Sequence, residues 1–308
     1  MKRTRRQTLA AGFCLCCLPT RLSADAPVAF QEVAPGIHIR RGVDQSASAS
    51  NLDAIANIGF IVGDEAVLVT DPGGSLADGQ ALRRAIHAAT TKPIRYVLLS
   101  HIHPDHIFGA GAFLEDNPAF LGHHGLRESL AARGNFYQSH LNDILGPGRA
   151  GPIVQPTLPV NDALELDLGH RRITLRAHAP AHTSTDVSLF DLTTGTLLPA
   201  DLLFVRRIPS LDGSLIGWIA QLPALAALRP VRAVPGHGPV TVDFGPAAAD
   251  LSRYLTALRD ETRAAIKAGR DIQAATATTG KSERANWLLF DDYNTRNAIE
   301  AYKELEWE

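Results

Sequence analysis

The sequence predicts a layered α/β domain followed by a helical C-terminal section, and three observations carry that prediction. Residues 58–62 and 66–70 are near-continuous apolar runs separated by Gly63-Asp64-Glu65, the pattern of a hairpin between two well-buried strands. A turn, a helix-spaced stretch and a further apolar strand follow, and that βαβ order makes the sheet at least partly parallel. From Ala247 to the end the pattern is mostly helical.

The elements follow in order. Residues 36–40 alternate and read as a first short strand, ahead of the hairpin. Asp71-Pro72-Gly73-Gly74 is a turn, and residues 77–90 place Leu82, Ile86 and Ala89 on one helical face. Pro93 breaks the helix, and residues 94–100 read as a buried strand. A short strand beginning at Phe120 and a helix over 125–133 come next. Residues 134–160, rich in Gly and Pro, are expected to be a surface excursion. Strands are then expected at 163–168, 172–178, 187–191 and 196–199, a helix at 216–228 ended by Pro230, and a short strand at 231–234. With no repeat or low-complexity linker, the chain divides into a segment 1–26, a domain 27–245 and helices over 246–308.

Composition bounds the function. Of the 308 residues 45% are apolar and 20% charged, as in ordinary globular proteins and unlike disordered ones. No apolar run reaches the roughly 18 residues a membrane span needs. Residues 1–26 hold Lys2, Arg3, Arg5, Arg6 and Arg21 against Asp25, so the rest is more acidic than the whole-chain charge of −2. A mildly acidic body with no Lys/Arg run leaves no footprint for nucleic acid. The basic start, the short apolar stretch from Leu9 to Leu18, Pro19 and the triplet Ala24-Asp25-Ala26 read as a signal peptide; Arg5-Arg6 gives it a twin-arginine-like character, with a general secretory signal as the alternative. The expected location is therefore periplasmic. Cys14, Cys16 and Cys17 all lie in this segment, so no disulfide framework and no thiolate nucleophile is expected in the mature chain.

The chemistry begins at Ser100-His101-Ile102-His103-Pro104-Asp105-His106. Three imidazoles and a carboxylate within six residues follow an apolar strand, where the backbone leaves the sheet and side chains can converge. Nitrogen and oxygen donors of this kind suit zinc, and also iron or manganese.

His-X-His-X-Asp-His resembles the signature of the metallo-β-lactamase superfamily. The remaining motifs of that pattern follow in order: Asp71 after the strand 66–70, Ala179-Pro180-Ala181-His182-Thr183 with Ala181 where Gly is usual, Leu198-Pro199-Ala200-Asp201, and Pro235-Gly236-His237-Gly238. The resemblance implies an αβ/βα four-layer sandwich and a two-metal, dizinc site. His101, His103 and His182 would hold one ion, Asp105, His106 and His237 the other, and Asp201 would bridge them. Asp105 and Asp201 are the implied catalytic carboxylates, orienting hydroxide as well as binding metal. Asp71 is a candidate to support a ligand from behind. A bridging Asp favours a hydroxyacylglutathione-hydrolase type of site over a β-lactamase. Residues 208–218 and the ending from Arg296 to Glu308 further resemble the quinoprotein relay system zinc metallohydrolases, relatives of the metallohydrolase of sulfur-oxidation gene clusters. That implies a functional association with periplasmic quinoproteins, without PQQ binding by this chain.

The expected reaction is hydrolysis of an activated acyl compound, a thioester being favoured. The alternatives are a mononuclear iron persulfide dioxygenase, a β-lactamase or lactonase, and a non-catalytic periplasmic metal-binding protein. Around the motifs, His123 and His124 are read as solvated loop residues, and Arg127, Arg206 and Arg207 as exposed, with contact to an anionic substrate tail as the alternative. Asp186 is read as a loop cap and Trp218, Trp287 and Trp307 as packing residues. Tyr293 and Asn294 are noted as residues that could reach the site from the C-terminal section.

Overall fold

A computed structural model describes residues 29–308; the segment 1–26, read above as a signal peptide, and its three cysteines lie outside the described residues. The chain runs β1 (Gln31–Ala34), β2 (Ile37–Arg40), β3 (Ile58–Val62), β4 (Val67–Thr70), α1 (Leu76–Ala89), β5 (Ile94–Leu99), α2 (Pro104–Ile107), a 3-10 segment Phe108–Asp116, β6 (Ala119–His123) and α3 (Leu126–Leu145). It continues through β7 (Leu158–Val160), β8 (Ala163–Asp167), β9 (Arg172–Ala177), β10 (Val187–Asp191), β11 (Thr196–Phe204), α4 (Leu215–Ala226), β12 (Arg232–His237), α5 (Phe244–Lys267), α6 (Ile272–Thr276), a second 3-10 segment and α7 (Phe290–Leu305).

Two sheets result, one of seven strands in the order β1-β2-β3-β4-β5-β6-β7 and one of five in the order β12-β11-β10-β9-β8. Strands β4 to β7 are mutually parallel, as are β11 and β12; the other pairings are antiparallel. Alternation along the strands sorts the core into three apolar layers. Ile39, Leu68 and Leu98 of the first sheet meet Leu175, Leu189 and Leu198 of the second. Val69, Val97 and Leu99 face outward to Leu82 and Ile86 of α1 and Leu130 and Leu141 of α3. On the far side Leu197 and Leu203 pack under Trp218 of α4, Leu251 and Leu255 of α5 and Ala298 and Ala301 of α7. This is the αβ/βα sandwich, with helices on both outer faces of paired sheets.

Several local expectations are corrected. The helix expected at 125–133 extends to Leu145, so much of the anticipated excursion is helical and β7 follows it. Gly134 is tolerated inside α3 because Ile153 packs where its side chain would stand. β11 runs five residues beyond its expected end, to Phe204. α4 ends at Ala226, two residues before the expected end, while β12 carries on to His237.

The two sheets are tied at one edge. Val187 N donates to Ser100 O, joining the start of β10 to the end of β5, and Asn57 N donates to Gly236 O at the end of β12. The loops leaving β4, β5, β9, β11 and β12 therefore emerge together.

Candidate metal centre

Each side chain at this edge has a local reason for its position. His101 and His103 lie just past β5, and Pro104 opens α2 at the first helical position, where its missing N–H costs nothing. That turn brings Asp105 and His106 back over the strand end. His182 sits in the loop after β9, braced by Asp186, whose carboxylate accepts from Thr183 N at 2.9 Å and Thr183 Oγ1 at 2.7 Å. Burial pushes the Asp186 carboxyl up to about 7 against the lowering effect of those bonds. Asp201 lies in β11, where the pairing with β12 shifts register on both sides of Ala200, itself held at φ 49°. Such a bulge re-aims a side chain next to a site. Gly236 faces it, and a Cβ there would overlap Asp201 Oδ1. His237 is the last residue of β12.

The donors form two clusters whose ligand atoms lie within 4.8 Å of one another: His101, His103, His182 and Asp201, and Asp105, His106 and His237. Asp201 spans both. Its Oδ2 is 3.3 Å from both His182 Nε2 and His237 Nε2, and its Oδ1 is 3.1 Å from His106 Nε2. Asp105 Oδ2 lies 3.2 Å from His237 Nε2. Apart from His103, which is partly buried, every one of these residues is buried.

The outer hydrogen bonds determine which ring nitrogens carry hydrogen. His182 Nδ1 donates to Ser210 O at 2.6 Å, and His237 Nδ1 to Ile55 O at 3.0 Å. His106 Nδ1 donates to Asp71 Oδ2 at 2.9 Å. Ser100 Oγ donates to Asp71, so it accepts from His101 Nδ1. His103 is turned the other way and donates from Nε2 to Asp212 Oδ2 at 3.2 Å. In every neutral ring the lone pair therefore points inward. His182 Nε2 and His103 Nδ1 face each other at 2.9 Å with no hydrogen left to place between them. His101 Nε2, His106 Nε2 and Asp201 Oδ1 are buried without a hydrogen-bond partner. Five lone pairs and two carboxylates around one point call for positive charge, and these clusters are suited to holding metal ions.

Basicities reflect the same field. Burial holds His101 well below the ordinary imidazole value and His182 down to about 3, with neighbouring imidazoles adding to the effect. Burial is the largest single influence on His106 and His237 and lowers both, but the carboxylates together outweigh it, Asp201, Asp105 and Asp71 at His106 and Asp201 and Asp105 at His237, and both go up. Reciprocally, Asp105 and Asp201 are held low by His106 and His237 despite burial. A metal ion competes with those protons and would release them on binding.

All seven sequence-selected donors and Asp71 thus converge. Asp71 adopts φ 60° and accepts from Ser100 N at 2.8 Å as well as from His106. Sequence reading missed Asp212, which accepts from His103, Arg133, Tyr137 and Arg296 at once. His103 lies 109 residues earlier in the chain, and no local pattern joins the two. Other expectations are corrected. Arg207 is buried and not exposed, 4% accessible; His123 is buried on β6 and lines a separate cavity; Trp307 is exposed. Trp218 is core, with its ring edge-on to His182 at 5.1 Å. Tyr293 reaches the metal-side cavity, whereas Asn294 is buried in the helical core, bonded to Thr279 O and Tyr254.

That cavity has a volume of about 340 Å³. His103, Asp105, Asp201 and His237 form its floor. Tyr137 and Ile144 of α3, Phe204 at the end of β11, Ile208 beyond it, and Tyr293 and Arg296 of α7 also line it.

The profile of the metallo-beta-lactamase superfamily matches residues 53–260, and the chain belongs to that superfamily. A linear primary-alkylsulfatase of Pseudomonas sp. (strain ATCC 19151) is 22% identical over 215 residues, 58% of this chain and 40% of the relative. Among solved structures, a metallo-beta-lactamase from Pontibacter korlensis superposes with TM-score 0.61 at 14% identity, covering 74% of this chain and 98% of that one. The stereoselective inverting sec-alkylsulfatase Pisa1 from Pseudomonas sp. superposes with TM-score 0.68 at 18% identity, covering 90% of this chain and 50% of that one. The chain spans half or less of the length of the two alkylsulfatases. The fold and the superfamily are shared with hydrolases, and the donor clusters are suited to holding metal ions.

Proposed function

We propose that the protein is an exported, periplasmic dinuclear zinc hydrolase acting on an activated acyl substrate, a thioester foremost, in functional association with quinoproteins. The carrying observation is the inward set of five lone pairs, each held by an outer hydrogen bond, around Asp105 and Asp201. His101, His103 and His182 would hold one ion and Asp105, His106 and His237 the other, with Asp201 between them. Ions held there would make hydroxide available near neutral pH, by lowering the pKa of a bound water to about 7, and would polarise the scissile group. The chain's residues do the rest. Asp105 and Asp201 orient the attacking oxygen, Asp71 and Ser100 hold the His106 and His101 rings, and Phe204 and Ile208 keep bulk water from the floor.

A second reading, hydrolysis of a sulfate ester, is favoured by the similarity to two alkylsulfatases. The first test is elemental analysis of the protein purified from periplasm, followed by turnover of thioesters, sulfate esters, lactones and β-lactams. About two zinc per chain with thioester turnover supports the first reading; sulfate-ester turnover alone transfers support to the second. One iron per chain with oxygen consumption on persulfides sinks both. Zinc without turnover of any class leaves a metal-binding accessory protein.

A further inference from the structure

Three buried arginines differ in one respect. Arg40 pairs with buried Asp78 at 3.1 Å, and Arg171 with buried Asp191 at 2.9 Å. Arg207, the most buried of the three, gives its bonds to neutral groups: Gln45 O at 3.1 Å and the Tyr293 hydroxyl at 2.9 Å. It also approaches His237 Nδ1 at 3.5 Å, but that nitrogen already donates to Ile55 O. Among the described residues no carboxylate forms an ion pair with it. Asp53 lines the same cavity and feels the charge of Arg207, but it is not within ion-pair distance. A buried cation left so is costly through its desolvation, and Arg207 lines the metal-side cavity, where a ligand can reach it.

The backbone is built to put it there. Arg206 is held at φ 68°, a conformation a non-glycine residue adopts at a cost, and it turns the chain so that its own side chain faces solvent while the next one points inward. The turn is clamped by the segment before α7: Ile208 N donates to Leu288 O, and Leu288 N to Arg206 O. Tyr293 stacks under the guanidinium, 5.4 Å from its centre.

We infer that Arg207 is the anchor of an anionic subsite, binding an oxyanion-bearing group of the substrate, carboxylate or sulfuryl, beside the metal centre. A guanidinium matches the paired oxygens of either group. Ile55, Ile144 and Ile208 add apolar lining to the same cavity, so the ligand is an amphiphile with its charged end at Arg207. This deepens the hydrolase reading and rests on it for the neighbouring ions, but its test needs no turnover.

The test is calorimetric titration of the metal-loaded protein with 1-hexanesulfonate, hexanoate and 1-hexanol, using wild type, Arg207→Met, Arg207→Lys and Tyr293→Phe. Metal content is measured for every protein. At least one anion is expected to bind wild type at least tenfold more tightly than hexanol does. Arg207→Met should weaken that binding at least tenfold with metal content unchanged, Arg207→Lys less, and Tyr293→Phe two- to fivefold. The anion that binds more tightly separates a sulfuryl from a carboxylate preference. Wild type that prefers neither anion to hexanol overturns the inference, as does Arg207→Met that binds like wild type. If Arg207→Met does not fold, unchanged binding in Tyr293→Phe and Arg207→Lys overturns it. Binding through Arg207 in a protein that hydrolyses no ester keeps this inference and defeats the hydrolase reading.

Discussion

At the scale of single residues, the site depends on atoms that touch no substrate. Gly236 leaves room for Asp201. Gly236→Ala should displace that carboxylate, lower metal content, and cost roughly 1–3 kcal/mol as overpacking does. Elemental analysis with urea unfolding checks this, and full metal content with wild-type stability would refute it. Asp212 takes the hydrogen of His103 Nε2 and is held low by His103 and Arg133 despite burial. Asp212→Asn keeps the shape and loses the charge, so zinc affinity in chelator competition should fall by roughly 10- to 100-fold, the usual effect of removing a partner behind a ligand. What could be read in advance divides along the same line. His101, His103, Asp105 and His106 were legible because four donors crowd one short stretch, and His182, Asp201 and His237 because their short motifs resemble those of the superfamily. Asp212, Ser210 and Ile55 were not, because their contacts to ligand rings are made by the fold and leave no local pattern. Arg207 was misread because two adjacent arginines after a strand carry no sign of which one is buried.

At the scale of elements, strand runs and helix faces were legible where apolar periodicity is strong, as in β3, β4 and α1. Boundaries were missed where packing overrides propensity. α3 passes through Gly134 because Ile153 fills that face, and β11 is prolonged because β12 pairs beside it. The seam between β6 and β9 makes a prediction of its own. His123 Nε2 donates to His178 O, and burial, then His124, push the His123 imidazole down to about 4; burial also lowers His178. The folded chain thus refuses protons that the unfolded chain accepts below its ordinary value of about 6.5. The contribution is complete above that value and is lost as pH falls toward about 4. In urea unfolding, His123→Gln should lose about 1 kcal/mol less than wild type over that window, reduced from the full linkage value because solvent reaches the neighbouring cavity. The ligand histidines titrate equally in both proteins, so they cancel from the comparison. Parallel acid curves would show that His123 does not carry this term.

At the scale of the whole molecule, the ligand set is also a joint between the two sheets. His101, His103, Asp105 and His106 leave the seven-stranded sheet after β5, whereas His182, Asp201 and His237 belong to the five-stranded sheet and its loops. The third partner is the C-terminal section. Glu304 of α7 accepts from Leu215 N and Ser214 Oγ, both at 2.6 Å, and so caps α4; Asn297 bonds Leu211 N and Pro209 O on the segment that carries Arg207 and Asp212. Ions held by donors from both sheets bind the folded arrangement and not the unfolded chain, so they should stabilise it by mass action, about 4.1 kcal/mol for one site at a thousandfold excess over its Kd. Chelation should therefore lower the urea midpoint cooperatively, and restoring zinc should return it. The loss should be partial, because His106 and His237 can take up protons and pair with Asp105 and Asp201 across the joint, while His103 and His182 are left with facing lone pairs. A midpoint that does not move when zinc is removed would mean that the sheets are held by their apolar layer and the Ser100–Val187 and Asn57–Gly236 bonds alone. The centre would then be a site seated on a finished fold, contributing nothing to its closure.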